Sequence, residues 1–503
     1  TDLVVEYGGS VSGEHGDGRA RSQFNRKLYG DDLWETFEEL KTAFDPDWLL
    51  NPGNICGDHD MTENLRFSPE YDFELGFDPV LEWDNENGMQ GMVELCHGCG
   101  GCRGPQETTG GVMCPTFRAS EEEVTSTRGR ANMLRQAMSG DLPADVTDEE
   151  FMTEVLDLCI GCKGCAKDCP SEVDMAKLKA EVTHQYHQEH GSSLRDKIFA
   201  NVDRLLPLGS ALAPISNWAQ RLPGRGIIQE KVLGIARERK FPTFYRETFV
   251  DWFASHEPQV SAAEADRKVL LFPDTFSNYN RPQAGKEAVR VLEAAGVHVD
   301  VPSDVTDSGR AANSKGFLDK AKEHASENVE TLAPRVADGW DVVSIEPSVA
   351  VMFQLDYLDL LGGTDAEAVA NNPYGIFEYL DTHDLVEEIE VDPSDRPLTY
   401  HGHCHQKAIK KEHFTAEVLE DVGFTVDALD SSCCGMSGSF GYEAEHYSLS
   451  KAMGDILFDQ IRESSGERVI APGASCRHQI GEHEGASDDP PHPIEVLAAD
   501  LQE

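Results

Sequence analysis

The chain has 503 residues, enough for about three domains, and its 91 acidic against 43 basic residues give a formal charge of −48. A field of that sign repels nucleic-acid phosphates and anionic lipid heads, which argues against a polyanion as the main partner. No apolar run approaches the ~18 residues that span a bilayer, no signal segment opens the chain, and the cysteines are spaced for metal clusters rather than a small disulfide scaffold, so the expected address is the reducing cytoplasm. The acid is spread along the whole chain as solvated surface. An excess this uniform suggests a high-salt cytoplasm that screens self-repulsion, and low salt should loosen the fold.

Thr1 is followed by Leu3-Val4-Val5, which reads as a strand met in mid-course, so the chain is expected to be the C-terminal portion of a larger polypeptide. Residues 1–57 then carry a glycine-rich loop (Gly8, Gly9, Gly13, Gly16, Gly18) and a helix from about Asp31. That helix places Leu33, Phe37, Leu40 and Phe44 at helical spacing and stops at Pro46. On the loop, Glu14 and His15 set a carboxylate beside an imidazole on backbone free to approach a ligand. Histidine can take a hydroxyl proton near neutrality and glutamate is a hard ligand for a divalent ion; a turn with a satisfied histidine accounts for the same residues. Residues 58–90 are polar, aromatic and turn-rich, as in a linker draped over its neighbours.

Residues 91–195 carry the strongest signal. Cys96, Cys99 and Cys102 follow a C-x2-C-x2-C rhythm with Cys114-Pro115 downstream, and Cys159, Cys162, Cys165 and Cys169-Pro170 give C-x2-C-x2-C-x3-C-P without interruption. The second run is the bacterial two-cluster ferredoxin pattern, in which three close thiolates cap one cubane and the remote cysteine before proline serves the other. Cys96, Cys99, Cys102 and Cys169 are therefore assigned to one [4Fe–4S] centre, and Cys159, Cys162, Cys165 and Cys114 to its neighbour. A four-thiolate zinc site also uses C-x2-C pairs but has no use for a third thiolate two residues on. After Pro170, Ser171 and Asp174 are expected to form a capping box before a helix whose packing stripe is Met175, Leu178, Val182 and Tyr186, ending near Gly191.

Residues 196–266 form a helical connector in which Leu205, Leu206, Leu208, Leu212, Ile215, Trp218 and Leu222 lie among proline and glycine breaks, with Arg221 and Arg225. Packing between domains is the simpler reading; a membrane face or a partner is the other. From 267 strands alternate with helices, and 268–273, 297–301 and 343–348 align with 397–402, 424–429 and 469–475 at an offset near 127. Two copies of one α/β unit, 267–395 and 396–503, are the simplest account. The second copy carries Cys404, Cys433-Cys434-Gly435 and Cys476 on loops after strands, where the first has Ser277, Asp307-Ser308-Gly309 and Val349. Four converging thiols can hold a third iron–sulfur cluster, bind zinc, exchange with disulfides or be inert core residues. His401, His403 and His405 read as loop hydrogen-bonders rather than ligands.

The run Gly9 to Arg19, closed by Leu50-Asn51-Pro52-Gly53, resembles the C-terminal end of the flavin-linked D-2-hydroxyacid dehydrogenases of the vanillyl-alcohol-oxidase superfamily. Met61-Thr62-Glu63-Asn64-Leu65-Arg66, the two cysteine runs, Ser126-Thr127-Arg128-Gly129-Arg130-Ala131-Asn132 and Cys433-Cys434-Gly435 resemble the large fused members of D-lactate or D-2-hydroxyglutarate dehydrogenase type, and with the acid excess a haloarchaeal one. The resemblance implies a multidomain α+β fold: the tail of a flavin-linked oxidase domain, an all-α two-cluster ferredoxin-like domain and a pseudo-repeated α/β cysteine-rich domain. It implies that Glu14 is a ligand of a divalent metal such as zinc, that His15 takes the substrate hydroxyl proton, and that Asn51 lies near the flavin edge. FAD would be held by an upstream domain, in the same or a separate polypeptide, with electrons leaving through the clusters to a quinone or soluble carrier. The chain departs from that pattern in the insertion between Cys102 and Cys114, and in Gln479 where relatives carry a second cysteine after Cys476. The alternative is an iron–sulfur electron-transfer subunit without a substrate site, like those of glycolate oxidase, anaerobic glycerol-3-phosphate dehydrogenase or heterodisulfide reductase. The expected location is cytoplasmic, extending to a peripheral position at the inner membrane face.

Overall fold

A computed structural model of the chain describes residues 1–502 apart from 58, 64, 68–69, 106–110, 144, 264 and 484–488. Asn64 of the 61–66 run and the middle of the insertion between Cys102 and Cys114 lie outside the described residues. The chain divides into two units, Thr1–Asp72 and Phe73–Glu503.

In the first unit, Leu3-Val4-Val5 lies in a short helix, Asp2–Glu6, not in the expected strand. No strand is present among the unit's described residues to pair with, so the backbone bonds itself, Val5 N–H to Thr1 C=O at 3.1 Å. Helices Ser22–Tyr29 and Asp31–Phe44 follow, hinged at Gly30, whose φ of 83° favours glycine. The expected helix is present, yet its stripe is not a buried one: Leu33, Leu40 and Phe44 are exposed, and Trp34 is the helix's buried residue. The glycine-rich loop is held by side chains, with Asn25 Nδ2 donating to Asp17 O (3.0 Å) and Ile55 O (2.9 Å) and Arg21 to Val11 O and Gly16 O.

The second unit opens with a helical layer. Phe73, Leu75, Phe77 and Trp83 pack on its apolar core, while residues 58–72 of the expected linker belong to the first unit. Helices Gly88–Glu94, Pro115–Ser120, Thr127–Met138 and Met175–His190 enclose that core. The last starts three residues later than expected. Asp174 is its N-cap, accepting from Lys177 N–H, while Ser171 bonds His97 instead of forming a capping box. Met175, Leu178 and Val182 are buried, and Gly191 stops the helix at φ 78°.

The connector is helical, with helices between Leu194 and Leu233 and a further one at Phe249–Phe253. Its apolar residues do not all pack between domains. Leu208, Leu212, Ile215, Trp218, Ile227 and Ile228 are exposed, and residues 204–229 contain no acidic side chain.

Two parallel sheets follow. Strands β1 (Lys268–Phe272), β2 (His298–Asp300), β3 (Asp341–Ser344) and β4 (Tyr374–Gly375) lie in the order β2-β1-β3-β4; β5 (Leu398–Tyr400), β6 (Val426–Ala428) and β7 (Arg468–Ile470) lie as β6-β5-β7. Burial on both faces makes the central strands apolar runs, as parallel sheets require. One apolar core takes residues from both sheets, with Val269, Leu271 and Val343 in one cluster with Leu398, Tyr400 and Ile470. Helix Pro493–Ala499 crosses back onto helix Pro282–Ala294, where Glu495 pairs with Arg281 at 2.6 Å.

Candidate redox centres

Cys96, Cys99, Cys102 and Cys169 line one small cavity. Gly98 and Gly100, at φ 79° and 77°, curl the loop so that three thiols face one point, and Cys169 arrives from the end of helix Gly164–Asp168 just before Pro170. Cys114, Cys159, Cys162 and Cys165 line a second small cavity, with Cys114 delivered ahead of Pro115, the first residue of helix Pro115–Ser120. Each run's remote cysteine thus reaches the other run's trio. Met113 and Thr127 line both cavities, so the two are neighbours. Cys99 is exposed while the second quartet is buried, which places the first cavity nearer the surface.

Burial, reinforced by neighbouring thiols, pushes Cys162 and Cys165 well above the usual thiol range, and burial raises Cys102 against the opposing Arg128 N–H. Thiols held in this way become thiolates when a cation joins them. Three thiols two residues apart with a fourth from a remote loop suit the corners of a cubane, whereas a lone zinc draws four sulfurs to within ≈2.3 Å of one point.

The helix Thr127–Met138 starts between the cavities. Ser126 caps it by accepting from Gly129 N–H, which leaves the Arg128 N–H free to donate to Cys102 Sγ at 3.4 Å. Arg130, 1% exposed, donates to Cys114 Sγ at 3.8 Å and to the Val155 and Leu158 carbonyls. These contacts escaped the sequence reading, in which the 126–132 run carried a resemblance without roles. Two arginines flanking a glycine near a capping serine were the available signal.

Four of the five remaining thiols, all but Cys56 of the first unit, gather at the C-terminal ends of β5, β6 and β7, the edge where parallel sheets place ligands. Cys404 opens helix Cys404–Ala408 and Cys476 lies in the first turn of helix Ala474–Gly481, so these two sit on helix starts rather than on loops; Cys433-Cys434 is in coil. Cys434 contacts Cys433, Cys476 and His401, and Cys433 contacts Cys404. Hydrogen bonds from Cys433 and Cys476 hold Cys434 well below the usual thiol range, and the donors are correspondingly raised. Gly435 is required here: its φ is 88°, and a Cβ would lie 2.2 Å from the Ser450 carbonyl oxygen. Among the histidines, His403 accepts from His405 N–H and His405 bonds Gly161 O, as loop hydrogen-bonders do, while His401 also joins the thiols. In the first sheet, Ser277 and Ser308 are buried, and Asp307 bonds Thr275 and Gly309 N–H.

This thiol group abuts the second cavity. Ser437 Oγ donates to Ile160 O at 2.6 Å, and Ile160 and Cys162 share an apolar cluster with Cys404, Cys433, Cys434 and Cys476.

In the first unit, His15 Nε2 lies 3.2 Å from Glu14 Oε1, both exposed. Asn51 stands at φ 45° and accepts from Asn54 Nδ2 at 2.6 Å. No contact joins it to the Glu14–His15 pair among the described residues.

Residues 1–55 match the C-terminal domain family of FAD linked oxidases, 92–173 the 4Fe-4S dicluster domain, and 398–481 the cysteine-rich CCG domain. The D-2-hydroxyglutarate dehydrogenase of Haemophilus influenzae is 24% identical over 99% of this chain and 52% of its own length, and that of Escherichia coli is 24% identical over 98% and 52%. The chain spans about half the length of these curated relatives. One subunit of the anaerobic glycerol-3-phosphate dehydrogenase of Escherichia coli is 30% identical over 66% of this chain and 83% of its own length.

Proposed function

Because the chain belongs to the family of iron–sulfur, Cys-Cys-Gly redox proteins that includes this anaerobic glycerol-3-phosphate dehydrogenase subunit, here joined to the C-terminal end of an FAD-linked oxidase domain, we propose that it is the C-terminal portion of an FAD- and iron–sulfur-dependent D-2-hydroxyacid dehydrogenase. D-2-Hydroxyglutarate, which the full-length relatives' name carries, is the first substrate to test and D-lactate the second. The observation that carries the reading is the contiguity of three thiol groups, two lining neighbouring cavities and the third abutting the second, in a chain that also carries the oxidase segment.

In this reading Cys96, Cys99, Cys102 and Cys169 hold one [4Fe–4S] cluster and Cys114, Cys159, Cys162 and Cys165 the other, with Cys404, Cys433, Cys434 and Cys476 at a third metal centre. Bound clusters supply one-electron storage. The chain's own part is to fix the thiolates, keep water from the buried quartet and balance its charge with Arg130. His15 takes the substrate hydroxyl proton, Glu14 is one ligand of a divalent metal, and Asn51 lies near the edge of an FAD held by a further domain. We read 267–395 and 396–503 as copies of one α/β unit, a reading supported by the shared order of β2-β1-β3 and β6-β5-β7. No described helix is long and apolar enough to cross a membrane. The exposed, acid-free apolar face of residues 204–229 supports peripheral contact with a membrane or partner carrying the electron acceptor.

The test is anaerobic: full-length protein is mixed with each hydroxyacid and cluster reduction is followed by EPR. One of the two acids should reduce the clusters, and Cys162→Ser should block electron delivery to an added acceptor while leaving flavin reduction intact. Clusters that neither acid reduces, but that a separate flavoprotein does reduce, would instead favour the relay reading, which is supported by the match to 83% of the glycerol-3-phosphate dehydrogenase relative's length.

A further inference from the structure

We propose that His401 is a metal ligand, and that the centre at the Cys-Cys-Gly site is a mixed imidazole–thiolate one rather than an all-thiolate one. This rests on the reading that the site holds a metal. His401 is fully buried at the end of β5, and one ligand atom from each of His401, Cys434 and Cys476 lies within 4.8 Å of the others. Its two ring nitrogens are treated differently. Nδ1 lies 2.6 Å from Ser431 Oγ, a residue itself 1% exposed, whereas Nε2 is buried without an oxygen or nitrogen partner and meets only the Cys434 sulfur. A buried nitrogen so placed costs stability unless a stronger partner meets it. With Ser431 accepting from Nδ1–H, Nε2 keeps its lone pair toward the thiols, and an imidazole ligand fixed by a partner on its other nitrogen is the common arrangement at metal sites.

The helix bearing Cys476 supplies no competing ligand. One turn on, Gln479 Oε1 accepts from Arg239 at 2.7 Å and its Nε2 reaches toward Ser450 O, so it is engaged away from the thiols. His403 and His405 each spend one ring nitrogen on the protein, Nδ1 on the His405 N–H and Nε2 on Gly161 O, and among the described residues neither ring is grouped with two thiols as His401 is. His401 is thus the histidine whose geometry is open toward sulfur. A donor set of imidazole with several thiolates suits zinc or iron. With iron, a neutral ring in place of a thiolate removes one negative charge and raises the reduction potential, as it does in Rieske centres.

The full chain, purified anaerobically with its metals, provides the test. Elemental analysis of Cys476→Ser identifies the metal lost from this site. If that metal is iron, pulsed EPR on protein labelled with 15N-histidine should show a directly coupled nitrogen; if zinc, absorption at the zinc edge should show imidazole scattering. His401→Gln should remove that signature and weaken metal retention by about 10-fold or more. His401→Cys should retain the metal without the nitrogen signature, and His403→Gln should leave both unchanged. A metal lost in Cys476→Ser but showing no nitrogen signature, or one that His401→Gln leaves intact, overturns the ligand assignment and spares the metal site. No metal loss in Cys476→Ser overturns both.

Discussion

The guanidinium of Arg130 donates to Sγ of Cys114 across 3.8 Å from a fully buried position. A cation this close to a thiolate, shielded from water, stabilises the more negative state of whatever that thiolate ligates. Arg128, two residues earlier, serves Cys102 of the other quartet through its backbone N–H, while its guanidinium, paired with Glu123, lies within electrostatic reach of Cys102 and Cys96. The two quartets are therefore tuned by one helix start but by different means.

Arg130→Gln should lower the potential of the cluster proposed at Cys114, Cys159, Cys162 and Cys165 by about 60 mV, the one-electron equivalent of about 1.4 kcal/mol. The other cluster serves as internal control. An EPR-monitored redox titration reads both; equal shifts, or none, would remove the role given to the Arg130 charge.

Gly435→Ala should dismantle the third thiol group alone. The added methyl meets the Ser450 carbonyl oxygen at 2.2 Å and the backbone must leave φ 88°. Loss of metal from this site with both ferredoxin-type EPR signals retained is the expected outcome.

Glu443→Gln should destabilise the second unit by about 3 kcal/mol. Burial alone would raise this carboxyl, yet Lys315 at 3.0 Å, with Arg195 and His446 nearby, holds it well below the usual range. A depressed carboxyl contributes stability that is present above the unfolded value of 4.5 and is lost as pH falls toward the folded one. Thermal unfolding at pH 7 in high salt measures the difference, which should shrink on acidification.

Asp274 carries the opposite sign. It caps helix Thr275–Tyr279 by accepting from Phe276 and Ser277 N–H, but burial and the nearby Glu346 push it up to about 7. Its stabilising contribution is present below 3.8 and is lost as pH rises through about 7. Asp274→Asn keeps the cap and removes the ionisation, so the variant should gain on the native protein as pH rises from 5 to 8, by on the order of 2 kcal/mol at the upper end. Unfolding midpoints of both proteins across that range provide the measurement.

What could be read from the sequence follows from how local each signal is. The cysteine trios are set by loops a few residues long, and the placement of Cys169 and Cys114 opposite the other trio follows from one known spacing pattern. The six longer strands were visible as apolar runs at repeated intervals. Strand β4, Tyr374–Gly375, is too short to show a period. Asp2–Glu6 was misread because a β-branched pair favours a strand only where a partner strand exists. The histidine facing Cys434 and the arginine facing Cys114 were out of reach, since each meets its sulfur through tertiary packing that no nearby spacing records. The connector's apolar residues look alike in a sequence whether they are covered or bare.

The helix Pro493–Ala499 completes the apolar core of the first sheet, against Pro282–Ala294. During synthesis, then, the earlier sheet cannot shed its exposed hydrophobic surface until residue 499 has left the ribosome. The Cys96–Cys169 loops emerge long before. Metal loading of the ferredoxin-like region can precede closure of the body behind it, and a nascent chain halted near residue 480 should bind chaperones while its earlier cysteines are already fit to receive iron.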